Sequence, residues 1–323
     1  MSAPPPPSPA DLRADRGVAA LLVRCTFPPP GASLVCGVSG GPDSLALLVL
    51  AVASGCQVTA VHVDHGLRAG SADEADVVAR AARRFGAAFF SRRVDLTDGP
   101  NLEARARHAR LAALGPGAAT GHTADDQAET VLANLLRGAG VDGLAAMRPG
   151  TTHPLLALRR AETAGLCDRL GLVPVRDPSN DDPRFVRTRV RSELLPLCSA
   201  IAGRDVVPVL ARQAEILGGD ADALAVLASL IDPADRRAVA SAPEPLARRA
   251  LRAWLTGDGA YPPSAGTVER VLAVARAERL ATEVTGGRRV SRKDGRLVLG
   301  KPGPDGEGEV ERPPVPSQRD RPG

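Results

Sequence analysis

The chain has 323 residues, of which 44% are hydrophobic and 24% charged, and its formal net charge is +4. This is an ordinary globular composition, and the length fits about two domains that each bury a core. No apolar run approaches the roughly 20 residues needed to cross a bilayer, and the N-terminus lacks a signal pattern, which predicts a cytoplasmic protein.

Short apolar runs alternate with helical patterns from about residue 33 to residue 140. The predicted strands are 33–38, 58–66, 87–96 and 117–122, and the predicted helices are 42–53, 71–85, 101–114 and 123–136. This alternation, with short connections, predicts an α/β fold with a doubly wound parallel sheet. Ligands bind such sheets beyond the carboxyl ends of the strands, so the motifs at those ends are the candidate ligand-binding segments.

The sequence changes character after about residue 150 and becomes rich in Ala, Leu and Arg. It predicts a smaller, mainly helical domain that closes with a β-hairpin around Asp294 and Gly295. The expected organisation is a tail and helix over 1–24, the α/β domain over 25–200, the helical domain over 201–300 and a disordered tail over 301–323.

Residues 39–44, Ser-Gly-Gly-Pro-Asp-Ser, connect the first predicted strand to its helix. The glycines let the backbone approach a ligand, and the N–H groups of a helix N-terminus favour a phosphate. Asp43 repels a bare phosphate, which indicates a divalent cation between the two. The same residues also fit a simple glycine turn with an acidic helix cap, and the lysine of a Walker loop is missing.

Residues 62–68, His-Val-Asp-His-Gly-Leu-Arg, stand at the end of the second predicted strand. Strand alternation places His62 and Asp64 on one face. Two interpretations of these residues remain open. A metal-hydrolase cluster would need a further histidine nearby, and a polar turn over Asp64, His65 and Gly66 would need nothing more.

Three acids, Asp125, Asp126 and Glu129, follow the fourth predicted strand within residues 121–130. Helical spacing makes these carboxylates neighbours that repel one another. Their position at the ligand-binding edge indicates that they hold a cation or an amine. Asp126 also stands three residues after Thr123 in a capping-box pattern, so it has a purely structural alternative.

Glu103 and Arg107 have the i,i+4 spacing of a helical ion pair, which by itself predicts a solvated face. A candidate for phosphate contacts is the group Arg184, Arg187, Arg189 and Arg191. Such a strip is typical of a phosphate contact, but it is equally compatible with a solvated surface.

The chain resembles the tRNA(Ile)-lysidine synthases in five ordered motifs: SGGPDS, HVDHGLR, NLEARAR, GHTADDQAET and LLRGAG. A DPSN segment at 177–180 and the arginines after it extend the resemblance to about Pro196. This family belongs to the PP-loop ATP pyrophosphatases. The resemblance therefore implies a Rossmann-like PP-loop catalytic domain over 25–200 and a tRNA-contacting role for the helical domain over 201–300.

The resemblance also implies an ATP-dependent ligase. ATP would adenylate carbon 2 of the wobble cytidine in an isoleucine tRNA with a CAU anticodon, and free L-lysine would then displace AMP to give lysidine. The anticodon would change from reading AUG to reading AUA. The expected partners are ATP, Mg²⁺, lysine and this tRNA, with no obligate protein partner and no membrane.

Individual roles follow from the same resemblance. Asp43 and Asp126 would be the catalytic carboxylates that hold Mg²⁺, and Glu129 would bind the lysine ammonium. The residues expected near substrate or tRNA phosphates are Arg107, Arg187 and Arg191. The expected ATP-binding residues are Ser39, Gly40, Gly41, Pro42, Asp43, Ser44, His62, Asp64 and His65.

The chain departs from the family pattern at two positions. Thr188 follows Arg187 where asparagine is common, which puts a tRNA contact there in doubt. His153 stands in HPLL where arginine is usual. The chain also resembles the short architecture of the family, so discrimination against methionine tRNA would depend on the helical domain.

Other functions explain the sequence less well. A cytidine thiolase needs closely paired cysteines, and an amidotransferase of the same superfamily needs a nucleophilic cysteine in a glutaminase. The cysteines here are widely spaced: Cys25, Cys36, Cys56, Cys167 and Cys198. A non-catalytic ATP-binding regulator would need only the phosphate loop and not the three acids. A plain RNA-binding module is disfavoured because aromatic residues make up 2% of the chain.

Overall fold

The computed structural model describes residues 5–64, 71–94, 102–175, 182, 184–257 and 262–300. Contacts between residues divide the chain into two compact units, Met1–Ala221 and Asp222–Gly323. The first unit contains a parallel sheet with its helices. The second contains helices and a small antiparallel sheet.

The predicted strands are present in the first unit. They are β1 Ser33–Gly37, β2 Gln57–Asp64, β3 Ala88–Arg93 and β4 Ala119–Thr120. All pairs are parallel and the order is β3-β2-β1-β4, which confirms the predicted α/β fold. Because β1 lies between β2 and β4, the loops after β1 and β4 leave the sheet side by side, at the position where such sheets bind ligands.

Helices flank this sheet and continue beyond it. They are α1 Pro9–Ala14, α2 Arg16–Leu22, α3 Pro42–Ala53, α4 Ser71–Arg84, α5 Leu102–Leu114, α6 Ala124–Leu136, α7 Val141–Leu144, α8 Arg160–Arg169, α9 Val186–Arg189, α10 Leu195–Ala202 and α11 Val207–Ser229. A π-helical turn, Val190–Leu194, connects α9 to α10. The predicted helix over 42–53 is confirmed residue for residue as α3.

The core of the first unit surrounds α3, which is apolar on every face. Leu47 and Leu50 are fully buried on this helix, and Leu155 and Leu158 pack in the same cluster. A helix that is hydrophobic all round has no face to offer water, so the surrounding elements enclose it. This burial holds the start of α3, and with it the loop at 39–44, in a defined place.

The second unit contains α12 Arg236–Ser241, α13 Glu244–Thr256, α14 Ala265–Ala275, β5 Ala281–Glu283, β6 Arg289–Lys293 and β7 Arg296–Gly300. The strands are antiparallel in the order β5-β6-β7. Asp294 and Gly295 have φ angles of 51° and 79°, which confirms the predicted hairpin turn. The sequence analysis missed β5, because three residues are too few to show strand alternation.

The predicted C-terminal tail at 301–323 lies outside the described residues, as does the DPSN segment at 177–180. Within the described ranges, no single helix is long and apolar enough to cross a membrane. One helix pair, Val186–Ala202 and Val207–Ser229, bent by 97°, reaches that length and composition only when the two are taken together.

Candidate active site

The loop at 39–44 follows β1 and starts α3. Gly40 has a φ of +89°, and a Cβ there would lie 3.2 Å from Cγ2 of Val175. The Ser44 hydroxyl donates to the Gly41 carbonyl at 2.9 Å and accepts from the Ser39 N–H at 3.2 Å. Gly41 caps α3 without a side-chain hydrogen bond, so no capping side chain occupies the N–H groups at this helix start, and a helix N-terminus of this kind suits an anion.

The loop between β4 and α6 passes directly against this helix start. A Cβ on Gly121 would lie 2.7 Å from the carbonyl oxygen of Asp43 and 3.0 Å from the nitrogen of Ser44. No side chain fits in that space. The glycine therefore allows the approach that brings the acids of α6 next to Asp43.

The two carboxylate oxygens of Asp126 have different hydrogen-bond partners. Oδ2 accepts from the N–H and the hydroxyl of Thr123 at 2.9 and 3.0 Å, which confirms the predicted capping box. Oδ1 accepts from Nη2 of Arg160 and Nη2 of Arg187, both at 3.0 Å. Burial raises the pKa of Asp126, but the two guanidinium groups outweigh it and hold that pKa below the usual range.

Glu129 is fully buried, and three arginines surround it. Oε1 lies 3.0 and 3.1 Å from the terminal nitrogens of Arg160 and 2.7 Å from Nε of Arg191. Oε2 accepts from Nε of Arg187 at 2.9 Å and from Nη2 of Arg191 at 3.0 Å. A carboxylate offers about four lone-pair positions, so these donors fill its acceptor capacity.

Asp43 approaches the same group of charges from α3. Its Oδ1 accepts a hydrogen bond from the Thr163 hydroxyl, and its Oδ2 lies 3.6 Å from Nε of Arg160. Burial raises the pKa of Asp43 above its usual value, although Thr163 and Arg160 oppose the shift. Asp43, Asp126 and Glu129 therefore meet around one guanidinium group.

Arg160, which the sequence analysis missed, is the first residue of α8. Its backbone N–H donates to Oδ2 of Asp125 at 2.8 Å, and Arg159 donates to both oxygens of Asp125 at 3.1 Å. Arg159 also pairs with Asp205. The only signal in the sequence is an Arg-Arg pair before a helical stretch, and this pattern does not indicate which acids the arginines contact.

The arginine strip divides into two faces. Arg187 and Arg191, one helical turn apart, point to Glu129, and Arg187 also reaches Asp126. Arg184 and Arg189 have side chains that are 84% and 62% exposed and pair with nearby acids, Asp182 and Glu193. The spacing alone treated the four as one strip, whereas the family resemblance singled out Arg187 and Arg191. In the part of the chain that the structure describes, these two reach the acids of α6.

His62 lies at the end of β2 and is 2% exposed. Its Nδ1 is 3.1 Å from the carbonyl oxygen of Val38, just before the loop at 39–44. Because a carbonyl only accepts, Nδ1 carries the proton and Nε2 is an acceptor, buried without a partner among the described residues. His65 and the side chain of Arg107 lie outside the described residues.

Comparisons with known proteins identify the family to which this chain is similar. A PP-loop domain model matches residues 15–198, and a TilS substrate binding domain model matches residues 235–298. The tRNA(Ile)-lysidine synthase of Nocardia farcinica (strain IFM 10152) is 44% identical over 253 residues, which cover 73% of this chain and 80% of that protein. The tRNA(Ile)-lysidine synthase of Thermobifida fusca (strain YX) is 37% identical over 93% of this chain and 99% of that protein.

Among solved structures, a U34-tRNA thiolase from Methanococcus maripaludis is 20% identical, with a TM-score of 0.47 over 62% of this chain and 77% of that one. The family predicted from the motifs is confirmed by the two domain matches and by the identity to the curated relatives. The chain belongs to the tRNA(Ile)-lysidine synthase family of PP-loop enzymes that use ATP.

Proposed function

We propose that this protein is the ligase that forms lysidine on the wobble cytidine of isoleucine tRNA with a CAU anticodon. One observation carries the proposal beyond family membership. Asp43, from the loop after β1, and Asp126 and Glu129, from α6, converge on a single guanidinium group. A protein that only binds ATP needs the loop but has no need of this convergence.

The reaction has two steps. In the first, the O2 oxygen of the cytidine bonds to the α-phosphorus of ATP and pyrophosphate leaves. In the second, the side-chain nitrogen of lysine bonds to carbon 2, the bond from carbon 2 to oxygen breaks, AMP leaves and the nitrogen gives up a proton. Activation turns an inert oxygen into a good leaving group, and positioning the reactants supplies much of the rate.

The residues at 39–44 and the end of β2 would bind ATP. The N–H groups at the start of α3 suit the phosphates, and Gly40 and Gly41 let these approach the backbone. His62 would accept a hydrogen bond from the nucleoside through Nε2, and Asp64 lies two residues further along β2. A buried acceptor without a partner is costly, so a donating ligand would stabilise it.

Asp43 and Asp126 would hold Mg²⁺. Within the described ranges no group of three or more His, Cys, Asp or Glu residues could hold a metal ion by itself. Mg²⁺ typically takes one or two carboxylates and completes its shell with water and substrate phosphates, so two carboxylates beside a phosphate loop fit this ion. When bound, it would neutralise phosphate charge.

Lysine would bind at the Glu129 side of the cluster. Glu129 already accepts from three guanidinium groups, so an incoming ammonium would have to share this carboxylate with them. Arg187 and Arg191, whose side chains are about one-third exposed, would direct their remaining N–H groups to substrate or tRNA phosphates. The matched substrate binding domain would add further tRNA contacts.

The test uses purified protein, ATP, Mg²⁺ and radiolabelled lysine with two tRNAs that share the CAU anticodon. We expect label in isoleucine tRNA and none in methionine tRNA, with release of AMP and pyrophosphate. AMP release without label in either tRNA would contradict the proposed substrate. It would still support ATP cleavage by the PP-loop domain.

A further inference from the structure

We propose that Arg160 is a positioning residue of the ligation site, which holds Asp43, Asp126 and Glu129 in register for lysine transfer. The inference rests on the proposed function and extends it to a residue that no motif marks. Arg160 acts through these three acids and not by touching a reactant.

The geometry of Arg160 differs from that of the other two arginines. Its guanidinium lies 3.0 Å from Oδ1 of Asp126, 3.0 Å from Oε1 of Glu129 and 3.6 Å from Oδ2 of Asp43. Arg187 and Arg191 form ion pairs with acids of α6. Arg160 thus connects the phosphate loop of α3 to the acids of α6, two segments that are about 80 residues apart in sequence.

Hydrogen bonds at the first turn of α8 hold the Arg160 side chain in place. Asp125 accepts the backbone N–H of Arg160 and pairs with Arg159 through both carboxylate oxygens. Thr163, one turn later, donates to Asp43 and lies 2.8 Å from the carbonyl oxygen of Arg160. The turn is therefore tied to both acid-bearing helices, and the guanidinium has little freedom to relocate.

Charge explains why the acids need this contact. The three carboxylates would repel one another across the small volume that they share, and Glu129 is completely buried. Three guanidinium groups balance three carboxylates, and removing one leaves the acids with a net negative charge. Arg160→Lys would restore the charge. Its ammonium is a single point charge, however, and could not hold two carboxylates in the fixed geometry that a planar guanidinium fork provides.

Small displacements of reacting groups are costly, since a misplacement of about 1 Å can reduce a rate by roughly 100-fold. If Arg160 sets the distance between the phosphate loop and Glu129, its loss should impair lysine transfer in particular. The Michaelis constant for lysine should rise, and the turnover rate should fall.

The experiment compares the full-length wild type with Arg160→Ala, Arg160→Lys and the matched control Arg189→Ala. Arg189 is an exposed arginine that pairs with Glu193. The measurements are kcat, KM for lysine, KM for ATP and the thermal unfolding midpoint. We expect kcat for Arg160→Ala to fall by about 100-fold, with KM rising more for lysine than for ATP. Arg160→Lys should recover part of this loss, and Arg189→Ala should match the wild type.

The outcomes separate the two levels of the proposal. A wild type that forms no lysidine contradicts the proposed function itself. An active wild type with Arg160→Ala equal to Arg189→Ala overturns the inference. The inference is also overturned if Arg160→Ala and Arg160→Lys lose activity equally, keep the wild-type KM for lysine and unfold at lower temperature, since this pattern indicates a structural role alone.

Discussion

Arg191 and Glu129 form a two-point ion pair in which Nε donates to Oε1 at 2.7 Å and Nη2 donates to Oε2 at 3.0 Å. The carboxylate is fully buried, while the arginine side chain is 36% exposed. The pair therefore joins a buried charge to one that solvent can reach. This geometry gives the carboxylate a fixed orientation and leaves other N–H groups of the arginine available to an anion.

Glu129→Gln is the direct test of the lysine role. The amide keeps the shape of the side chain but removes the charge and turns a donor toward the guanidinium groups. We expect kcat/KM for lysine to fall by roughly 100-fold, as for the loss of a charged hydrogen bond, with a smaller change in KM for ATP. Steady-state kinetics with each substrate varied will show this, and equal effects on both substrates would contradict the ammonium assignment.

Asp43→Ala and Asp126→Ala should both abolish AMP formation and leave tRNA binding unchanged. They should differ in stability, because only Asp126 also caps α6 through Thr123. Loss of a helix cap costs about 1 kcal/mol, so Asp126→Ala should unfold at lower denaturant than Asp43→Ala. Near-normal turnover in either variant would remove that residue from the proposed Mg²⁺ site.

Mg²⁺ binding should depend on the nucleotide. In the described part of the site, the carboxylates of Asp43, Asp126 and Glu129 already face guanidinium groups, so the free protein offers little net negative charge to a cation. ATP phosphates supply that charge. Calorimetric titration with Mg²⁺ should give weak binding alone and tighter binding with a non-hydrolysable ATP analogue, and equal affinities would argue against this account.

Arg187→Gln and Arg191→Gln should weaken tRNA binding and make it less sensitive to salt. Each lost phosphate contact lowers the slope of log affinity against log salt by about one. Arg189→Gln, on the exposed face of the same segment, is the control. If all three variants keep the wild-type slope, the two inward arginines act only within the cluster and not on the tRNA.

Gly121→Ala should impair catalysis although the substitution adds only a methyl group. The new Cβ would lie 2.7 Å from the Asp43 carbonyl oxygen, so the two loops must separate. A shift of this kind can cost about 100-fold in rate. Gly165→Ala on α8 is the matched control, since nothing lies within 4 Å of its Cβ. Activity of Gly121→Ala close to that of Gly165→Ala would show that the loops tolerate the displacement.

The sequence by itself determined the local elements and the family. The helix α3, the capping box of Thr123 and Asp126 and the hairpin at Asp294 and Gly295 all follow from interactions among residues close in the chain. Propensity, periodicity and capping act over a few residues, and a single sequence displays them directly. The ordered motifs added the family and the candidate acids.

Only the tertiary structure decided how the charges pair. Spacing did not distinguish the four arginines of one short segment, and the family resemblance selected Arg187 and Arg191 without naming their partners. The structure shows that these two contact buried acids, while Arg184 and Arg189 face solvent. Arg160 contacts acids from distant segments, and no local sequence pattern predicts these contacts. The partner of a long charged side chain depends on which segments the sheet order brings together and on which groups burial deprives of water, and these are properties of the folded chain.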